Sequence, residues 1–271
     1  MERIYRAVLA AAAMGVGVAA AAEQPRTYAL VGAIGNRFEV VHEIQSTGTH
    51  LAPYDRAAYA IGGDLLNRLA VQGLDRAIAR AEPESRRIYL STTTRRPEIE
   101  FVIEELRKVD RVGWDRILVA LPAYRYKGND GMPLRTSGMG LFAQPLCQSD
   151  QSNRADRVGS CDHGFRPQVG PMAETPSGNE IAANSYVAPF AFVEIWVLDP
   201  KTLAVLGRSA NYGHRKLTDE TAALTGIING SNKDFLARQI VEVVQTSTSD
   251  ALANGILRGE VEIREKGPVA R

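Results

Sequence analysis

Apolar positions recur along the chain with two periods, and the alternation between them divides it into strands and helices. Residues 27–44, TYALVGAIGNRFEVVHEI, hold two β-rich runs on either side of Gly35-Asn36. A Gly-Asn pair between strands predicts a tight hairpin, because Gly accepts positive φ without steric cost. In the second run Phe38, Val40, His42 and Ile44 share one face, with Arg37, Glu39 and Glu43 on the other. His42 is therefore expected to be packed and hydrogen-bonded rather than a ligand. Residues 45–63, QSTGTHLAPYDRAAYAIGG, show no period and read as a surface loop.

Helical spacing then takes over. Leu66, Ala70, Leu74, Ile78 and Ala81 form one stripe, with Asp64 in the N-cap position and Pro83 at the end. RRIYLST reads as a strand. Ile99, Val102, Ile103 and Leu106 form a second helical stripe, with Pro97 fitting its first turn and Gly113 closing it. The unbroken apolar run Ile117 to Leu121 predicts a central strand covered on both faces. Beyond Pro122 the pattern alternates again, with Tyr124 and Tyr126 on one side and Arg125 and Lys127 on the other.

Residues 127–185 carry no periodic element and are rich in Gly, Pro, Ser, Asn and Asp, so they read as one long insertion. Residues 186–212 predict a hairpin turning at Asp199-Pro200-Lys201-Thr202. The last helix has Ser231 as its cap and Leu236, Ile240, Val243 and Val244 as its stripe. The polar run TSTS at 246–249 weakens its continuation through Ala251, Leu252 and Ile256. The predicted architecture is an α/β domain: one mixed sheet flanked by helices, over residues 23–260, interrupted by a long irregular insertion. Residues 261–271 read as a flexible tail.

The N-terminus changes the picture of where the protein works. Arg3 and Arg6 precede an uncharged small-residue stretch from Ala7 to Ala22, and Ala20 and Ala22 fit an A-x-A cleavage site. Residues 1–22 therefore read as a secretory signal peptide, and the mature chain is expected in the periplasm or outside the cell. Without Glu2, Arg3 and Arg6, the 32 basic and 31 acidic side chains become 30 of each. Zero net charge argues against a nucleic-acid partner. No later segment is long and apolar enough to span a bilayer.

Export bears on the two cysteines, Cys147 and Cys161, both inside the insertion. An oxidising compartment favours pairing them, and closing this 15-residue loop is worth about 3 kcal/mol by chain entropy. The insertion is thus expected to be tied by a disulfide, and the neighbouring Asp162-His163 pair to be held beside it. A reactive thiol served by that pair is the alternative, but adjacency along a loop does not set an imidazole over a thiolate.

Candidate chemistry is sparse. The histidines lack metal-ligand spacing, so no metal is expected, and no G-x-G-x-x-G or P-loop supports a nucleotide or other cofactor. GGDLL at 62–66 and KGNDG at 127–131 together resemble motifs of the SGNH (GDSL) esterases. Leu65 stands where that family's nucleophilic serine would be, so the resemblance implies no acyl-enzyme here, and no catalytic residue is assigned. Because α/β sheets bind ligands beyond the C-terminal ends of their strands, the exit of the central strand marks the expected binding surface. It comprises Tyr124, Arg125, Tyr126, Lys127 and Asp130, with Asp162 and His163. The leading functional reading is a non-catalytic exported protein that binds a protein or small-molecule partner or assists envelope assembly. The alternative is an exported hydrolase using the same residues.

Overall fold

The computed structural model describes residues 24–43, 54–91, 97–125, 136–144, 172–175, 178–182, 186–217 and 233–254. Eight strands form one mixed sheet, with helices on both faces. Its spine is β11 (Tyr186–Leu198), thirteen residues long and almost wholly buried. Along one edge β11 pairs antiparallel with β12 (Val205–His214). Along its other edge it pairs with two strands in succession: β8 (Met139–Gln144) through residues 186–191 and β5 (Arg116–Pro122) through residues 193–198. β5 and β8 therefore lie end to end in one lane.

The next lane repeats the arrangement. β1 (Thr27–Gly32) runs parallel to β5, and β2 (Arg37–Glu43) runs parallel to β8. Outside them lie β4 (Arg86–Ser91), parallel to β1, and β3 (Tyr54–Ala60), antiparallel to β2. The hairpin expected at Gly35-Asn36 is thus not formed. β1 has both edges occupied, by β4 and β5, so β2 cannot fold back beside it. The ladder instead runs on, with Ala33 N–H donating to Ala120 O, and the chain jogs at Gly35, where φ is +87°.

Two further expectations are corrected. Residues 54–60, read as part of a loop, form β3. This edge strand leaves residues 56–60 exposed, so no apolar alternation marks it. The stretch 127–185, read as lacking elements, contains β7 (Thr136–Ser137), β8, β9 (Met172–Glu174) and β10 (Glu180–Ala182). β8 is an interior strand buried on both faces, so neither period appears in MGLFAQ. β2 is also two-sided: Phe38 and Val40 pack beside Leu141 and Val187, while Val41, on the face assigned to charge, is fully buried.

Alternation along the strands sorts side chains to two helical layers. Leu30, Leu118, Val193 and Ile195 meet α1 (Leu65–Ala81) and α3 (Lys233–Leu252) on one face. Ala29, Val31, Ile117 and Val119 meet α2 (Ile99–Leu106) on the other. The α1 stripe is buried as expected from Leu66 to Ile78, but Ala81 is exposed. Asp64 occupies the N-cap position without a side-chain capping bond, and α2 starts at Ile99, leaving Pro97 just outside it. The TSTS run does not break α3, because its hydroxyls are used. Ser247 donates to Ala191 O (2.6 Å), Thr248 donates to Val244 O (2.8 Å), and both residues are buried.

The predicted β11–β12 turn forms around Asp199, whose Oδ1 accepts from the Thr202 N–H (2.8 Å), the Thr202 hydroxyl (3.0 Å) and the Lys201 N–H (2.9 Å). These bonds, those of Thr202 foremost, hold its carboxyl below the usual aspartate range. A depressed folded pKa contributes stability above the unfolded value, near 4, that is lost as pH falls through the folded one. The melting temperature of Asp199→Ala should accordingly lie below wild type at pH 6 and converge on it as pH falls from 4 to 2. Parallel curves would show that the turn bonds carry no ionic contribution. At the core, Phe192 is fully buried and packs on Phe190 and Tyr212, with ring centroids 5.1 and 5.5 Å away. Phe192→Ala should cost about 3–5 kcal/mol in denaturant unfolding; a loss below about 1 kcal/mol would contradict this packing.

Candidate functional site

Two places on the sheet combine exposure with fixed geometry. The first is the junction between β5 and β8. There the chain leaves the lane after Ala123 and re-enters it at Gly138, and the intervening excursion starts as a two-stranded ribbon. In that ribbon β6 (Tyr124–Arg125) pairs with β7, Tyr124 opposite Ser137 and Arg125 opposite Thr136. Three backbone bonds close its base: Ala123 N–H to Phe192 O (2.8 Å), Phe192 N–H to Gly138 O (2.8 Å) and Gly138 N–H to Ala123 O (3.0 Å). Gly138 has φ of +65°, a conformation that a side chain would strain.

Tyr124 is 56 % exposed just outside this buried base. Of the residues expected to form a binding surface, Tyr124 and Arg125 thus begin the excursion as β6. Tyr126, Lys127, Asp130, Asp162 and His163 lie outside the described residues, as do Cys147 and Cys161, so the expected disulfide lies there too.

The second place was not foreseen as a site. A cleft of about 290 Å³ opens between the first turns of α1 and the C-terminal ends of β1 and β4, at Gly32, Tyr89 and Leu90. Its location follows from topology. β1 leads, through β2 and β3, to α1 on one face, whereas the adjacent β4 leads to α2 on the other. Where connections from neighbouring parallel strands diverge to opposite faces, their ends leave a crevice. The rule that directed attention to the end of β5 applies to the β1/β4 pair as well. The false hairpin concealed this, because it removed β1 from the parallel set.

Side chains fix the walls of the cleft. Gly32 lets α1 approach closely, since a Cβ there would collide with the Asn67 carbonyl oxygen. The Asn67 side chain in turn accepts the Gly35 N–H (3.0 Å), tying α1 to the jog between β1 and β2. Farther along α1, Asp75 reaches across to β4, where it accepts the Tyr89 hydroxyl (2.9 Å) and pairs with Arg87 (2.9 Å). Desolvation first, and the bond to Asp75 second, push the Tyr89 phenol above its ordinary value. The GDLL segment contributes Asp64 to this cleft, while Leu65 is 42 % exposed and supplies no nucleophile. Among the described residues no group of three or more His, Cys, Asp and Glu side chains could hold a metal.

No family model and no curated protein sequence matches the chain. Among solved structures, one described as a homologue of a neuraminyllactose-binding hemagglutinin from Helicobacter pylori aligns over 87 % of this chain and 82 % of its own. The TM-score is 0.32 and the identity 6 %. That likeness is distant. No helix among the described residues is long and apolar enough to cross a membrane.

A raised phenol pKa stabilises the fold fully below the ordinary tyrosine value, near 10, and the contribution is lost as pH rises through the folded value. Between pH 9 and 11.5 the melting temperature of wild type should therefore fall more steeply than that of Tyr89→Phe. Tyr28, raised chiefly by burial, remains in both proteins and sets the common background. Equal slopes would show that the Tyr89–Asp75 bond does not couple to folding.

Proposed function

We propose that this is an exported, non-catalytic protein that binds a partner, in the periplasm or outside the cell, through the excursion leaving the central lane of its sheet. The reading is carried by one observation: a buried three-bond base, made on Phe192, from which an exposed Tyr124 projects. A rigid scaffold under an exposed aromatic side chain lowers the ordering cost of association, and tyrosine is enriched among residues that dominate binding energy. In this reading the binding surface comprises Tyr124, Arg125, Tyr126, Lys127 and Asp130, with Asp162 and His163 held near a Cys147–Cys161 bond. The partner is a protein of the envelope.

Two measurements test the reading. Protein isolated from the native envelope without reductant should show no free thiol, and two after reduction in denaturant; two free thiols at the outset would remove both the disulfide and the oxidising location. In the same fraction, a partner crosslinked to wild type should be recovered about tenfold less, or worse, with Tyr124→Ala. The melting temperature should stay unchanged, because Tyr124 is exposed. Equal recovery with the variant, or no partner at all, would overturn the assignment.

A further inference from the structure

The switch-point cleft holds a set of groups that the fold itself does not use. Asn67 lies nine-tenths buried in the sheet-facing stripe of α1. Its Oδ1 is engaged by the Gly35 N–H, which fixes the amide and leaves both Nδ2 hydrogens without a partner among the described residues. An amide fixed by its oxygen, with its donors open to the cleft rather than buried, can give them to an acceptor bound there. The leading N–H groups of α1 are not capped by the Asp64 side chain, and no acidic residue stands in the first turn. That end of the helix therefore adds donors and a favourable field for a negative group.

Two opposite charges complete the set. Asp64 and Arg68 are one helical turn apart in an order that favours pairing, and both line the cleft. They form no ion pair with each other, and neither has a partner among the described residues. Asp75, the other acid on the wall, is already satisfied by Arg87 and Tyr89. The charges open to a ligand are thus one carboxylate and one guanidinium, lining the same cleft as the Asn67 amide. Val71 and Leu90 supply an apolar surface beside them.

We propose that this cleft binds a small zwitterion of the α-amino-acid class with an apolar side chain. The ligand carboxylate meets the Asn67 amide, Arg68 and the first turn of α1; its ammonium meets Asp64; its side chain lies against Val71 and Leu90. A net-neutral pair of charges on the protein matches a net-neutral pair on the ligand, and charge-assisted hydrogen bonds at both ends set its orientation. The volume lies at the lower end of the range for small-molecule sites, which suits a single amino acid and excludes a long peptide. The proposal stands apart from partner binding at Tyr124, since the two sites are built on different elements.

The test uses the full mature chain in thermal unfolding and titration calorimetry with free leucine and free phenylalanine. The probes for comparison are their methyl esters, their N-acetyl derivatives, glucose and inorganic phosphate. At about ten times Kd, one of the two free amino acids should raise the melting temperature by about 3–5 °C. Its ester and its N-acetyl derivative should bind at least about tenfold more weakly. Asp64→Asn and Arg68→Gln should weaken binding of that amino acid by a similar factor while melting within 1–2 °C (roughly) of wild type, because neither side chain is used by the fold. Arg80→Gln, exposed on the same helix outside the cleft, should bind as wild type does. The proposal is overturned if neither amino acid shifts the melting temperature, or if esters and N-acetyl forms bind equally well. It is likewise overturned if both charge variants bind normally, or if only glucose or only phosphate binds.

Discussion

One edge of β11 serves two strands in series, and most of the architecture follows from that. Thirteen residues of extended backbone are long enough to pair β8 with one half and β5 with the other, leaving Phe192 at the seam. Because β5 and β8 are collinear, β1 and β2 must be collinear as well if each is to find a partner, and the jog at Gly35 is the price of keeping both in register. The sheet is consequently wider along its strands than its short strands suggest. Each half keeps its own core: helix-covered around β1 and β5, aromatic around Phe142, Tyr186, Phe190 and Phe192.

This constraint also separates the two candidate sites. At the seam, chain inserted between β5 and β8 must leave the sheet and return to the same place, so its base is tied into the core whatever lies beyond it. At the β1/β4 ends, the chain takes opposite faces on the way to α1 and α2, and the crevice between them persists because Gly32 and Asn67 hold α1 hard against the strand end. One site is an outgrowth on a fixed stem and the other a recess in the scaffold. They therefore suit different kinds of ligand.

The α/β class, the three helical stripes, β4, β5 and the β11–β12 hairpin were legible in the sequence, from their apolar patterns and, for the hairpin, from the Asp199-Pro200 turn signal. The β1–β2 hairpin was misread because Gly-Asn is a turn signal only when the flanking strands have free edges, and edge occupancy is a tertiary fact. β3 and β8 escaped for opposite reasons, one exposed along most of its length and the other buried on both sides. Following a strand to its end led to Tyr124, which the structure leaves exposed there. The cleft was missed, although Asp64 and Arg68 stand at i, i+4 and Asn67 is a polar residue inside an apolar stripe. That intrusion was the available signal, and it was overshadowed by Asp64 fitting the role of a helix cap that its side chain does not perform.

The seam is part of the core, with Phe192 fully buried and its backbone bonded to both Ala123 and Gly138. Native-state hydrogen exchange at single-residue resolution measures this directly. The Ala123, Gly138 and Phe192 amides should exchange only through the global opening that releases Ile195 in the middle of β11, with matching free energies and matching denaturant dependence. If Ala123 and Gly138 instead exchange on the order of a hundredfold faster than Ile195, through a local opening insensitive to denaturant, the two half-lanes are not one structure and the account fails.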